Sequence, residues 1–255
     1  MKIIRTISVV VAFGFLVMLA QARAANAAEI KVLCSNGLKA VVEELVPQFE
    51  RATKHRVVVT YGLAAVLKQQ IEGGEPFDVA FVTPAVMDDL IAHGKIAADS
   101  RATIARSGLA IAIRTGARKA DISSVDAFKR ALLGAKSIAY AKEGASGVAF
   151  AALIQRLGIA ADLKSKSKLT ATGEEVGEAI VRGESEFGVL PVSEILPIRG
   201  AEMLGTFPAD VQSYIVMVGG VSDASTQGAA ARDLIKLLTA PAALPVIKAK
   251  GMERN

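Results

Sequence analysis

The 255-residue sequence is 52 % hydrophobic and 22 % charged, with 30 Lys and Arg against 25 Asp and Glu, a formal charge of +5 and a pI near 9.3. That length and apolar content suffice for a full core and two modest lobes, although with no Trp and 5 % aromatics the packing falls to Ala, Val, Leu and Ile. Two His and one Cys leave no zinc spacing, and scattered cations without interleaved aromatics exclude a nucleic-acid partner.

Residues 1–24 read as a signal peptide. Lys2 and Arg5 make a positive start, residues 7–20 an apolar stretch, and Ala22-Arg23-Ala24 a cleavage site, with Ala25-Asn26-Ala27 a second one. The apolar stretch falls short of the ~20 residues that a membrane span needs. Cleavage removes Lys2, Arg5 and Arg23 and no acid, so the charge falls from +5 to +2. The lone Cys34 lies inside an apolar run and has no partner for an intramolecular disulfide. Export without disulfides points to the periplasm.

The stretch 30–49 sets the pattern for the chain. An apolar strand at 30–34 passes through Ser35-Asn36-Gly37 into a helix. Leu38, Val41, Val42, Leu45, Val46 and Phe49 fall at the i, i+3, i+4, i+7, i+8 and i+11 spacing of one buried face. Strands follow at 56–61 and 77–83 with helices at 65–72 and 85–92, Pro84 opening the second. A strand at 107–114 introduces a second series. It comprises helix 125–133, strand 137–140, helix 148–157, strand 168–172, helix 176–182 and strand 187–190. Strand 213–218 and helices 226–239 and 242–250 close the chain. Alternation at this spacing predicts α/β layers with largely parallel sheets, and unbroken apolar strands predict sheets covered on both faces.

Two such series predict a two-lobed α/β architecture: lobe one at 25–106 plus 216–255, lobe two at 107–215, joined by two hinge strands. Polar or glycine-bearing turns start helices after strands at 36–37, 62–65, 146–147, 173–176 and 191–193. Helix starts carry free N–H groups, and in open α/β sheets ligands bind at the carboxyl ends of strands. The predicted binding residues are Asn36, Gly37, Ala64, Ala65, Ser146, Gly147, Val176 and Pro191, with the Ser146 and Val176 amides as donors. No catalytic group, metal or cofactor is expected. His55 and His93 read as surface residues, Gly144-Ala145-Ser146-Gly147-Val148 lacks the last glycine of a nucleophile elbow, and Glu174, Glu175 and Glu178 read as a solvated helix start.

Together with Glu29-Ile30-Lys31-Val32, the segments 67–74, Pro76-Phe77-Asp78-Val79, 145–148, 153–158 and 184–190 resemble the periplasmic solute-binding proteins of the molybdate-binding type. The resemblance covers the whole mature chain. It implies the two-lobed periplasmic-binding-protein fold, a hinge of two strands, closure on a solute, and delivery to an ABC permease in the inner membrane, by a monomer. It further implies oxyanion donors at Asn36, at Ala64 or Ala65, at Ser146, at Val176 and at Pro191. Ala64, Ala65 and Pro191 have no side-chain donor, and two lost hydrogen bonds to a charged ligand cost roughly 3–6 kcal/mol, which argues against molybdate itself. The resemblance thus implies capture of a small anionic or polar solute. An alternative within it is a periplasmic enzyme isomerising a small polycarboxylate such as aconitate, with Lys142 as the basic group. A third reading is an interaction module with an empty cleft.

Overall fold

A computed structural model describes residues 27–254; the proposed signal peptide lies outside the described residues. Strand β1 (Glu29–Ser35) is flanked in parallel by β2 (Arg56–Gly62) and β3 (Val79–Val82). The crossovers are α1 (Lys39–Thr53) and α2 (Ala64–Glu72), and α3 (Pro84–Ala92) follows β3. A 3-10 turn at Asn36–Leu38 separates β1 from α1, which buries Val41, Val42, Leu45, Val46 and Phe49 as the spacing requires. Neither Ser35 nor Leu38 caps that entry with a side-chain hydrogen bond.

The thirteen-residue β4 (Ala102–Arg114) links the halves. From Ala102 to Gly108 it pairs antiparallel with β9 (Tyr214–Val221), which itself pairs antiparallel with β3. From Leu109, opposite Pro191, to Ala112, opposite Gly188, it pairs with β7 (Phe187–Pro191), and from Ala110 to Arg114 with β8 (Ala201–Thr206). The second half adds α4 (Val125–Gly134), β5 (Ile138–Ala141), α5 (Ala145–Arg156), α6 (Ala160–Leu163), β6 (Ser167–Thr170), α7 (Gly173–Val181) and α8 (Val192–Ile195). There β5 runs parallel to both β6 and β7. Helices α9 (Gly228–Thr239) and α10 (Leu244–Ala249) return to the first half, where α9 packs on α1, β4 and β9.

Three differences from the sequence expectation have physical causes. The link strand begins at Ala102 rather than 107, because residues 102–106 find a ladder partner in β9. Antiparallel pairing at β4, β8 and β9 breaks the parallel pattern wherever the chain crosses between lobes. Strand β8 was not expected: its residues, AEMLGT, form no apolar run, and as an edge strand it stays only half buried. Central strands β3, β5 and β7 are buried throughout, whereas edge strand β2 alternates between exposed and half-buried positions. Among the described residues no helix is long and apolar enough to cross a membrane.

Asp78 fastens the base of lobe one. Its carboxylate accepts from the Lys31 amide at 2.8 Å and the Ser225 hydroxyl at 2.6 Å, and its carbonyl accepts from the Ser222 amide at 2.9 Å. In lobe two, α5 lies directly on the end of β5, and a Cβ on Gly147 would overlap the Ala141 carbonyl oxygen. We expect Asp78→Ala to lose roughly 3 kcal/mol through two charge-assisted bonds, read by calorimetry as a melting drop of roughly 6–12 °C for a domain of this size. Gly147→Ala should lose about 3 kcal/mol by overpacking, whereas alanine at the uncrowded Gly134 should leave the transition within about 0.5 kcal/mol of the parent.

Candidate functional site

The carboxyl ends of β1 and β5 and the starts of α2, α5, α7 and α8 converge on the gap between the lobes. Its innermost part is a hollow of about 30 Å³. Lobe one contributes Ser35, Asn36, Leu63 and Ala64, and lobe two contributes Ala141, Gly144, Ala145, Ser146, Gly173, Pro191 and Glu194. Ile215 and Met217 of β9 form the rest of the wall. Two wider hollows open from it, one of about 350 Å³ that also includes Asn36, Gly173 and Glu194, and one of about 700 Å³ lined by Asn36, Tyr61, Leu63, Lys142 and Thr172 among others.

Ser35 and Ser146 face the inner hollow from opposite lobes, each only 6 % exposed. Neither hydroxyl has a protein partner among the described residues, so both can donate to a guest. The start of α5 adds backbone amides with no side-chain cap at Gly144. The start of α7 is more occupied: the Thr172 hydroxyl accepts from the Glu175 amide at 3.2 Å, and the Val176 amide turns to the Thr172 carbonyl at 3.4 Å.

Glu194 is the charged group at the centre. It belongs to the one-turn helix α8, set by Pro191 at the end of β7, and its carboxylate lies between Gly37 of lobe one and Gly173 of lobe two. A Cβ on Gly173 would overlap Oε2, and one on Gly37 would come within 3.7 Å of Oε1. Among the described residues nothing donates to this carboxylate, and burial pushes its pKa up to about 7. Next to it the Ser193 hydroxyl donates to the Gly37 carbonyl at 3.0 Å across the gap. The Ser193 amide donates to Ser107 Oγ at 3.0 Å, and that hydroxyl donates to the Gly251 carbonyl at 3.0 Å. Helix α8 is thus tied to lobe one, to the link strand and to the chain's end.

Two basic and two acidic side chains, Lys39, Lys142, Glu143 and Glu174, line the 700 Å³ hollow. Lys39 on α1 lines both wider hollows and lies over the Tyr61 ring, 5.4 Å from its centroid. Lys142 on the facing lobe is exposed and has no ion-pair partner among the described residues. Burial, then Cys34 and Glu43, push the Tyr61 phenol upward, so it stays a neutral O–H in the 700 Å³ hollow. Burial does the same to the Cys34 thiol, which leaves it unreactive.

Of the eight residues expected from the sequence, the inner hollow gathers Asn36, Ala64, Ser146 and Pro191. Gly37 stands just behind it, its carbonyl engaged by Ser193. Gly147 is spent on helix-to-strand packing. Val176 is fully buried in the core of lobe two with its amide inside its own helix, so it is no donor here. Ala65 is exposed and lines none of the three hollows. Sequence reasoning missed Ser35, Leu63, Lys39 and Glu194. For Glu194 a signal was present: an acid in the first helical turn after an apolar strand, at the fifth of the five strand-to-helix turns.

Other candidate groups serve structure. His55 Nδ1 accepts from the Ala28 amide at 3.0 Å. Glu72, Asp89 and His93 cluster within reach of one ion, but the Lys68 ammonium already sits 2.8 Å from Asp89 and 3.4 Å from Glu72.

The chain is 30 % identical over 230 residues to an aconitate isomerase of Pseudomonas sp., covering 88 % of this chain and 87 % of that protein. It is 28 % identical over 236 residues to the molybdate-binding protein ModA of Azotobacter vinelandii, covering 89 % and 91 %. The solved periplasmic molybdate-binding protein of Azotobacter vinelandii superposes with a TM-score of 0.76 at 21 % identity, over 89 % of this chain and 99 % of that one. The first of these overturns the expectation of a chain without catalytic function, since a relative so similar is an enzyme. The sequence profile of the bacterial extracellular solute-binding proteins matches residues 30–253, and the chain belongs to that family.

Proposed function

We propose that the chain takes a small polycarboxylate into the interlobe gap and isomerises it, in the manner of an aconitate isomerase. The observation that carries this reading is the pair Lys39 and Lys142, one on each lobe, flanking a hollow of about 700 Å³ that also contains Tyr61 and Asn36. A single tetrahedral oxyanion held by Ser35 and Ser146 needs neither lysine. A tricarboxylate has a carboxylate for the serine hydroxyls and others for the two ammonium groups. The hollow's volume lies within the range that small-molecule sites occupy. Closure of the lobes about β4 and β9, with division at 106/107 and 215/216, would bring both lysines onto one ligand. All the groups invoked come from one chain, so a monomer suffices.

A second reading keeps the same gap for transport. The chain would act in the periplasm, capturing a small anion and presenting it to an ABC permease in the inner membrane. The similarity to a molybdate-binding protein and the two unpartnered serine hydroxyls of the inner hollow support it.

A panel of trans-aconitate, cis-aconitate, citrate, molybdate and sulfate separates the two. A ligand at a hundred times its Kd adds about 2.7 kcal/mol, a melting rise of roughly 5–10 °C. The isomerase reading expects that rise with aconitate, together with conversion of trans- to cis-aconitate followed by proton NMR. A rise without conversion leaves the transport reading, and a rise with molybdate alone rejects a polycarboxylate. Lys39→Ala and Lys142→Ala should each weaken aconitate binding by about tenfold, one hydrogen bond to a charged group at the low end of its range, and leave molybdate binding unchanged.

A further inference from the structure

Resting on the polycarboxylate reading, we infer that Glu194 is the proton-transfer group of the isomerisation, the side chain that both removes and returns the migrating proton. Three observations lead there. Glu194 lines the 30 Å³ inner hollow together with Ser35 and Ser146, and also the 350 Å³ hollow beside it, so its carboxylate borders the space a ligand held by those serines would enter. The carboxylate has no hydrogen-bond or ion-pair partner among the described residues, unlike Asp78, whose oxygens are both taken. Its helix is held against lobe one by the Ser193-to-Gly37 hydrogen bond, which sets its position when the lobes are together. An acid whose pKa lies near 7 is suited to accept and donate at neutral pH.

The step balances without an oxidant or co-reactant. Glu194 takes a proton from the methylene carbon of the bound propene tricarboxylate, and the C–H electron pair spreads over the three-carbon allyl unit and its carboxylates. Ser35, Ser146 and the amides at the start of α5 face the end where that charge develops. The Glu194 carboxylic acid then returns the proton to the former alkene carbon. One C–H bond has broken, one has formed, and the double bond has moved by one carbon. The group is a carboxylate again.

Other charges face Glu194. Lys39 and Glu43 come from α1 and Glu174 from α7, all on the same hollow. β1, β7 and β9 present Ser35, Pro191 and Met217, which do not titrate. The wild-type kcat for trans-aconitate, which follows the group in the complex, should climb with pH and then level, with its midpoint above the free protein's value of about 7 because the bound anion favours the protonated form. Binding should weaken over the same interval, because the ionised carboxylate repels the ligand. Glu194→Gln should lower kcat by at least about a hundredfold, as general-base removal does, and bind aconitate within threefold of wild type below pH 6, with no weakening above pH 7. Glu194→Asp should keep measurable turnover with a displaced pH profile, and it serves if the glutamine variant does not fold. Wild-type turnover with more than a tenth of it left in Glu194→Gln overturns the assignment while leaving the polycarboxylate reading in place. Equal loss of binding and turnover in Glu194→Gln reduces Glu194 to a structural role. No turnover of any tricarboxylate by wild type removes both the reading and this inference.

Discussion

A strand of thirteen residues has to satisfy two sheets, and this requirement organises the molecule. Along β4 the partner on one side is β9 up to Gly108; beyond it β7 and β8 take over. The run has a ladder partner along most of its length only because the chain returns as β9 beside the first half and departs as β7 and β8 beside the second. Two parallel α/β series end on opposite sides of the exchange, and their helix starts face one another across it. The gap is a consequence of this exchange, since among the described residues no strand pairs across the lobes there and only short contacts such as Ser193 to Gly37 span it.

The parts legible in the sequence are those governed by periodicity. The apolar stripe of α1 and the unbroken runs of β3, β5 and β7 follow from burial that repeats every 3.6 or every residue. β8 was illegible because its stability comes from a neighbour, β4, rather than from its own residues. Among the residues lining the inner hollow, Asn36, Ala64, Ser146 and Pro191 were legible as turn residues at strand ends. Val176 opens the helix expected at 176–182 and so should carry a free amide, but the helix starts three residues earlier, at Gly173, and already claims that amide. Ser35 reads from the sequence as a turn residue after a strand ending at 34, but it is the last residue of β1 and lines the gap.

The charged residue in the site was hidden for a different reason. Read along the chain, Glu194 follows Ser193 in a short polar turn and resembles any carboxylate at a helix start, where the dipole favours it. What changes its character is non-local: the two glycines, at 37 and 173, one from each lobe, that allow the carboxylate to sit between them. Neither glycine is remarkable alone. Between them a half-buried acid is partly covered and meets no donor among the described residues, and that combination raises a pKa.

The same geometry joins the two readings of the family fold. A binding protein closes to surround its ligand, and closure strips water from whatever the gap contains. Where the gap holds only hydroxyls and amides, desolvation strengthens their hold on an anion and nothing else follows. Where it also holds an unpaired carboxylate, closure raises that group's proton affinity and puts it against the ligand in the same motion. The cost of burying Glu194 is then smallest when it is protonated and greatest when ionised beside an anion, so ligand and proton favour the closed form together. On this argument a proton-transfer activity requires no new fold and no new loop in a solute-binding scaffold, only one acid on an element such as α8 that already bridges the lobes.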